Sequence, residues 1–198
     1  MKNNFEYQWN RRFPNRVPIS YLFKLYFSNS WLRLHSFPNS KRYAESSLEM
    51  SQLLARQNNV IDDCLKDSSS IFIVSGNFFI GDSQIPNYDQ VAMLDYEFTA
   101  GSRINLHTTD PKYFDDGEDN DRYFIPMFIE TRWNPNLHND LLIKVANDET
   151  RAFFICFEKN IIIAPYDGGL DLIIEDPLLK NEIKKKYSEL LSKRADQL

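Results

Sequence analysis

Phe153-Phe154-Ile155-Cys156-Phe157-Glu158-Lys159-Asn160-Ile161-Ile162-Ile163-Ala164-Pro165-Tyr166-Asp167-Gly168-Gly169-Leu170-Asp171-Leu172-Ile173-Ile174 is the stretch that decides the fold. It holds three short apolar runs separated by two turn signals. Phe153–Phe157 and Asn160–Ala164 read as strands joined by a tight turn. Asp167-Gly168 is a hairpin signal because both residue types tolerate positive φ. Leu170–Ile174 then returns as a third strand, giving an antiparallel meander. Asp176-Pro177 caps a closing helix, with Leu179, Ile183, Tyr187, Leu190 and Leu191 on one face. Glu175 and Asp176 sit at its positive end and Lys193 and Arg194 at its negative end, as the helix dipole favours.

Moving outward, Asn134-Pro135 reads as the cap and first turn of a short helix ending at Asn147. Its expected buried stripe is Leu137, Leu141, Leu142 and Val145. Tyr123–Thr131 reads as a strand, and Pro126 inside it removes a ladder donor, so an edge or bulged position is expected. Tyr113–Asp121 reads as an acidic loop, and Val91–Phe98 and Arg103–His107 as two further strands. Ile71–Val74 is a buried strand. Ser40 is a candidate cap for a helix over Lys41–Gln57 that buries Leu48, Met50, Leu53 and Leu54. In Trp31–His35, alternation sends Leu32 and Leu34 to one face and Trp31, Arg33 and His35 to the other. Pro18–Phe27 reads as the first helix. The sum is an α+β fold: a largely antiparallel sheet with helices packed against it, a C-terminal three-stranded meander and a terminal helix.

The 198 residues are enough for a single domain, with residues 1–17 expected as a loosely packed N-terminal segment. Apolar residues at 42% and charged residues at 26% exclude a disordered chain, and six glycines speak against a glycine-rich phosphate cradle. Residues 1–60 carry a net charge of +6, residues 61–121 carry −10, and residues 122–198 carry −1. The acidic middle disfavours nucleic acid as a ligand and fits a partner protein with a basic surface. No secretory leader and no membrane-spanning run is legible, so a cytoplasmic protein is expected. Cys64 and Cys156 read as two buried thiols.

Chemistry-bearing patterns are sparse. Of the three histidines (His35, His107 and His138), none sits in a nucleophile motif, and no Gly-x-Ser-x-Gly elbow occurs. Asp115–Asp121 has many oxygen ligands, but not the glycine at the sixth position and glutamate at the twelfth that an EF-hand calcium loop needs, and it reads as a solvated loop. Zinc spacings are absent, so no metal, cofactor or catalytic residue is assigned. The distinctive feature is Asp171, a carboxylate inside an apolar strand. Arg132 or first-turn helix amides are its candidate partners, and an exposed alternate strand face is the simpler reading. Trp133 reads as a core anchor and Arg132 as a salt-bridge partner. A recognition surface of Arg132, Trp133 and Tyr166 is the alternative, and Tyr166, Asp167 and Asp171 complete the candidate binding set.

Arg132-Trp133, the Pro135 and Leu141-Leu142 helix, Asp148, the aromatic strand, Tyr166-Asp167-Gly168-Gly169-Leu170-Asp171 and the Tyr187 helix together resemble the bacterial family called domain of unknown function 3885. The Trp31–Leu34 strand and the Arg42–Leu54 helix are similar to its opening. The family pattern runs Tyr-Asp-Asp-Arg-Gly, whereas Gly168-Gly169 follow Asp167 directly here, so an acidic and an arginine position are missing. The resemblance implies the fold and a bacterial origin, and no activity. The expected function is a non-enzymatic protein-interaction module, with an immunity-type protein as one form. The alternatives are an enzyme or small-ligand binder using the Tyr166–Asp171 hairpin tip with Arg132, and a homo-oligomeric structural subunit.

Overall fold

The computed structural model describes residues 5–68, 70–114, 121–192 and 194. Among these described residues, eight strands form one antiparallel sheet: β1 (Trp31–His35), β2 (Ile71–Ile80), β3 (Thr99–Ala100), β4 (Ile104–Asn105), β5 (Arg122–Thr131), β6 (Phe153–Cys156), β7 (Ile161–Tyr166) and β8 (Gly169–Ile174). Their spatial order is β1-β8-β7-β6-β2-β5-β3, with β4 also on β5. The meander β6-β7-β8 lies within it, and β1 closes one edge by pairing with β8.

Alternation divides the sheet residues between two cores. Leu32, Leu34, Ile71, Ile73, Phe154, Ile161, Ile163, Leu170, Leu172 and Ile174 face one layer. That layer also takes residues of α3 (Ser47–Leu65), α6 (Asn139–Ala146) and α7 (Pro177–Lys186). Trp31, Phe72, Val74, Phe153, Ile155, Ile162 and Ile173 face the other. There they meet α1 (Phe5–Arg12) and α2 (Phe23–Tyr26). Each side chain buried in these layers is worth roughly 1.5–3 kcal/mol, which makes the two faces the main source of stability.

The N-terminal segment departs from expectation. Phe5 and Trp9 are 1% and 2% exposed, and Phe13 and Val17 are also buried. Phe5 lies 5.2 Å from Phe128, and Trp9 lies 5.9 Å from Phe153, ring centre to ring centre. Residues 5–17 are therefore part of the core, because the strand face carrying Phe72, Phe128 and Phe153 needs an aromatic cover.

Several element boundaries also shift, each for a local reason. The helix expected over Lys41–Gln57 is α3, which starts at Ser47 because Ser46 is the cap: its hydroxyl accepts the Glu49 amide at 3.2 Å. Ser46-x-x-Glu49 is the capping pattern that outranks Ser40. Leu48 consequently points outward at 79% exposed. Pro18–Phe27 resolves into a 3-10 turn at Ser20–Leu22 followed by α2. Val91–Phe98 is not a strand: Val91 and Leu94 are buried through a turn in which the Leu94 amide donates to the Val91 carbonyl. Within Arg103–His107 only Ile104–Asn105 is extended, since the Asn105 side chain accepts the Thr108 amide and starts α4 (Leu106–Thr109); α5 (Pro111–Phe114) follows. The helix expected from Pro135 begins at Asn139, after a left-handed Asn136, which leaves Leu137 at 62% exposed. The expected acidic loop over Tyr113–Asp121 lies for residues 115–120 outside the described residues.

Pro126 sits in β5, one strand in from an edge made only of the short β3 and β4. Its carbonyl accepts the Gly101 amide, so its ring nitrogen also faces outward, away from the β2 ladder. Both cysteines are free and buried, and burial pushes the Cys64 thiol up to about 12. Among the described residues, no helix is long and apolar enough to cross a membrane.

Candidate functional site

Alternation along three strands assembles the site. Arg33 and His35 on β1, Ala164 and Tyr166 on β7, and Asp171 on β8 all project from the face that α1 and α2 cover elsewhere. Register brings them together: Arg33 is directly opposite Asp171, which is itself opposite Ala164. A cleft of about 450 Å³ opens over them. Its wall is completed by Tyr21 before α2, Ser40 and Arg42 after β1, and Asp148, Thr150 and Arg151 after α6.

Arg33 holds Asp171 in a two-pronged ion pair, Nε to Oδ1 and Nη2 to Oδ2, each 2.7 Å. The guanidinium also lies 4.6 Å from the centre of the Tyr166 ring. Burial works to lower the Arg33 pKa, and the hydrogen bonds and charge of Asp171 outweigh it, so the group is held above its ordinary value. Asp167 at the hairpin tip pairs with Arg42. The Tyr166 hydroxyl shares a hydrogen bond with His35 Nδ1 at 3.1 Å, and burial pushes that phenol well above its usual range. On its other side, His35 Nε2 lies 3.5 Å from Ser40 Oγ.

The hairpin tip is built for close approach. Neither Asp167 nor Gly168 takes a positive φ, contrary to the sequence-based argument. The glycines are required by their neighbours: a Cβ on Gly169 would sit 2.0 Å from the Leu34 carbonyl oxygen. One on Gly168 would sit 3.0 Å from the Arg42 Cα. The Ser36 amide donates to the Gly168 carbonyl at 2.7 Å, and the Gln57 side chain donates to the Gly169 carbonyl at 3.1 Å. The β1–α3 connection is thereby fastened to the tip. Asn39, Ser40 and Asp148, all beside the cleft, take left-handed φ values of 55°, 55° and 59°. For a serine this costs on the order of 1 kcal/mol, and such strain concentrates at functional sites.

Of the residues singled out from sequence, Tyr166, Asp167 and Asp171 come together in the cleft, and Arg132 and Trp133 do not. Arg132 lies in a separate shallow depression with Glu130 and Thr131. Trp133 is an anchor of the helical core: its indole donates to Asp62 Oδ1 at 3.1 Å and packs on Phe154. The residue that answers Asp171 is Arg33, not Arg132. Arg33 and His35 were legible as polar residues on one face of a strand otherwise buried. Nothing local connected that face to Asp171, 138 positions away. Tyr21 and Arg151 carried no recognisable signal, and Ser40 and Arg42 were legible only as the start of a helix, not as site residues. Among the described residues, no group of three or more histidine, cysteine or acidic side chains is placed to hold a metal ion.

A family model described as domain of unknown function (DUF3885) matches residues 19–195. Neither the curated proteins nor the solved structures provide a match to the chain. Since the model spans almost the whole sequence, the chain belongs to that family.

Proposed function

We propose that this member of the DUF3885 family binds a small polar ligand carrying a negative charge, in the cleft above Arg33, Tyr166 and Asp171. The observation that carries the reading is the composition of that cleft. Four arginines and three aspartates line a concavity on a sheet face that is elsewhere filled with aromatic side chains. A buried ion pair contributes little to stability compared with well-packed apolar residues, so its retention there supports binding. Arg33 and Arg42 are occupied by aspartates. Arg151, stacked over Tyr21 at 5.6 Å, has no carboxylate within ion-pair distance among the described residues. It is the cation best placed to meet an anionic group.

Thermal unfolding in millimolar inorganic phosphate, succinate or glucose tests this. A ligand present at 100 times its Kd adds about 2.7 kcal/mol, or roughly 5–11 °C for a chain of this size. The reading requires a rise with at least one anion, none with glucose, and loss of the rise in Arg151→Ala. No rise with either anion, or a rise that Arg151→Ala leaves unchanged, overturns it.

The charge segregation along the chain supports a second reading, a protein-interaction module of the immunity type whose partner presents a basic surface. Its test is a stoichiometric protein partner recovered from the native host. In either reading we place the protein in the bacterial cytoplasm, a location that the two free, buried thiols support.

A further inference from the structure

We propose that Ser40 is a nucleophile activated by His35, and that the cleft cleaves small esters or similarly activated acyl compounds bearing a negative charge. This rests on the ligand-binding reading above for the substrate's charge, though not for the nucleophile itself. Three side chains stand in line. Ser40 Oγ is 3.5 Å from His35 Nε2, and His35 Nδ1 is 3.1 Å from the Tyr166 hydroxyl. That is the order nucleophile, base, positioning group, and the first contact has the loose spacing common before a substrate is bound. His35 is only 6% exposed, and its ring stands perpendicular to that of Tyr166. The imidazole is therefore held from two sides, by burial and by the phenol.

The backbone favours the same assignment. Ser40 follows Asn39 as the second of two successive left-handed residues, which turns its side chain into the cleft. A serine nucleophile on a strained turn beside its base is how other hydrolytic sites expose the hydroxyl, here without the flanking glycines a motif search would require. Arg42, two residues on, lines the same wall, where its ion pair with Asp167 fixes the chain on the far side of Ser40.

The step balances on these groups. With the proton of His35 on Nδ1, held by the Tyr166 oxygen, Nε2 presents its lone pair to Ser40. Oγ attacks the acyl carbon as its proton passes to Nε2. The carbon–oxygen bond to the leaving alcohol breaks, and that alcohol takes the proton from His35. Water, deprotonated by the same nitrogen, then releases the carboxylic acid and restores Ser40.

The test is covalent labelling of the full chain with a fluorophosphonate, in which the Oγ–phosphorus bond forms as fluoride departs. A single adduct mapping to Ser40 by peptide mass spectrometry is expected, absent in Ser40→Ala. A lost general base slows the reaction by about 100-fold or more, so His35→Gln should label at least that much more slowly. Tyr166→Phe, which keeps the ring and its packing, should slow labelling without lowering the thermal midpoint to match. If His35→Gln does not fold, Ser40→Cys carries the test. A thiol beside a base is deprotonated more readily, so position 40 should be alkylated by iodoacetamide at neutral pH at least about 10-fold faster than cysteines of the unfolded chain. No adduct at Ser40, or equal labelling in His35→Gln, or an unaccelerated thiol at position 40, overturns the proposal. Anion-induced stabilisation that persists in Ser40→Ala while no adduct forms in the parent chain leaves the binding reading standing and removes the nucleophile. An adduct at Ser40 without any anion effect does the reverse.

Discussion

Replacing Asp171 by asparagine probes the ion pair on which the cleft is built. The substitution is nearly isosteric, so packing against Ala164 is preserved and the change is electrostatic. Arg33 and Asp171 are 20% and 10% exposed at their side chains, and two 2.7 Å bonds join them. Asparagine keeps one acceptor and turns an amide donor toward the guanidinium, leaving Arg33 charged, largely buried and half paired. Removing one partner of a fully buried pair costs about 3–5 kcal/mol. Because this pair borders an open cleft, water recovers part of that, and about 2–3 kcal/mol remains. For a chain of nearly 200 residues that lowers Tm by roughly 4–12 °C. The companion variant Arg33→Met with Asp171→Leu removes both charges. It should be no less stable than Asp171→Asn and should approach the parent, since the cost lies in the orphaned cation. Urea titration of the parent, Arg33→Met, Asp171→Leu and the double variant gives the coupling directly, with m-values checking that unfolding stays two-state. A loss below about 0.5 kcal/mol in Asp171→Asn, or a double variant less stable than either single one, would refute the reasoning.

Gly169→Ala places a methyl group against the Leu34 carbonyl oxygen and should destabilise by at least about 2 kcal/mol in urea titration; a neutral result would mean the β1–β8 edge is looser than described. Phe5→Ala should cost about 3–5 kcal/mol, since the ring is 1% exposed among five aromatic neighbours; an effect below about 1 kcal/mol would return residues 5–17 to the status of an appendage. Burial lowers the His138 pKa below 6.5, with the Arg132 carbonyl opposing, so the unfolded chain binds the extra proton first as pH falls. Stability should therefore be full above about pH 6.5 and decline below it. A His138→Gln variant, referenced to its own stability at pH 7.5, should lose part of that slope; an unchanged slope sinks the assignment.

Local patterns were a good guide wherever neighbours in sequence are also neighbours in space. The meander Phe153–Ile174 and the start of the terminal helix at Asp176-Pro177 were legible because tight turns and caps are settled within a few residues. The helix is shorter than its apolar period suggests: it ends at Lys186, a 3-10 turn over Ser188–Leu190 carries Leu190 into the core, and Lys184, Lys185 and Lys186 are the cations of its last turn. The helix start at Ser46 was equally local and was obscured only by a competing serine at position 40. Residues 91–107 were misread because isolated apolar residues at short spacings fit a turn as well as a strand, and which one forms depends on the partner edge that β5 offers.

By itself, then, the amino-acid order determined the α+β class, the antiparallel meander, the alternation of Trp31–His35 and the anomaly of Asp171, because hydrophobic period and turn chemistry act over short range. Only the tertiary structure decided that Asp171 belongs to Arg33, that Tyr166 meets His35, that the first helix is core, and that Arg132 stands apart. Those outcomes follow from pairing β1 with β8 across 138 positions, and the register of such a pair is set by the packing of both sheet faces at once.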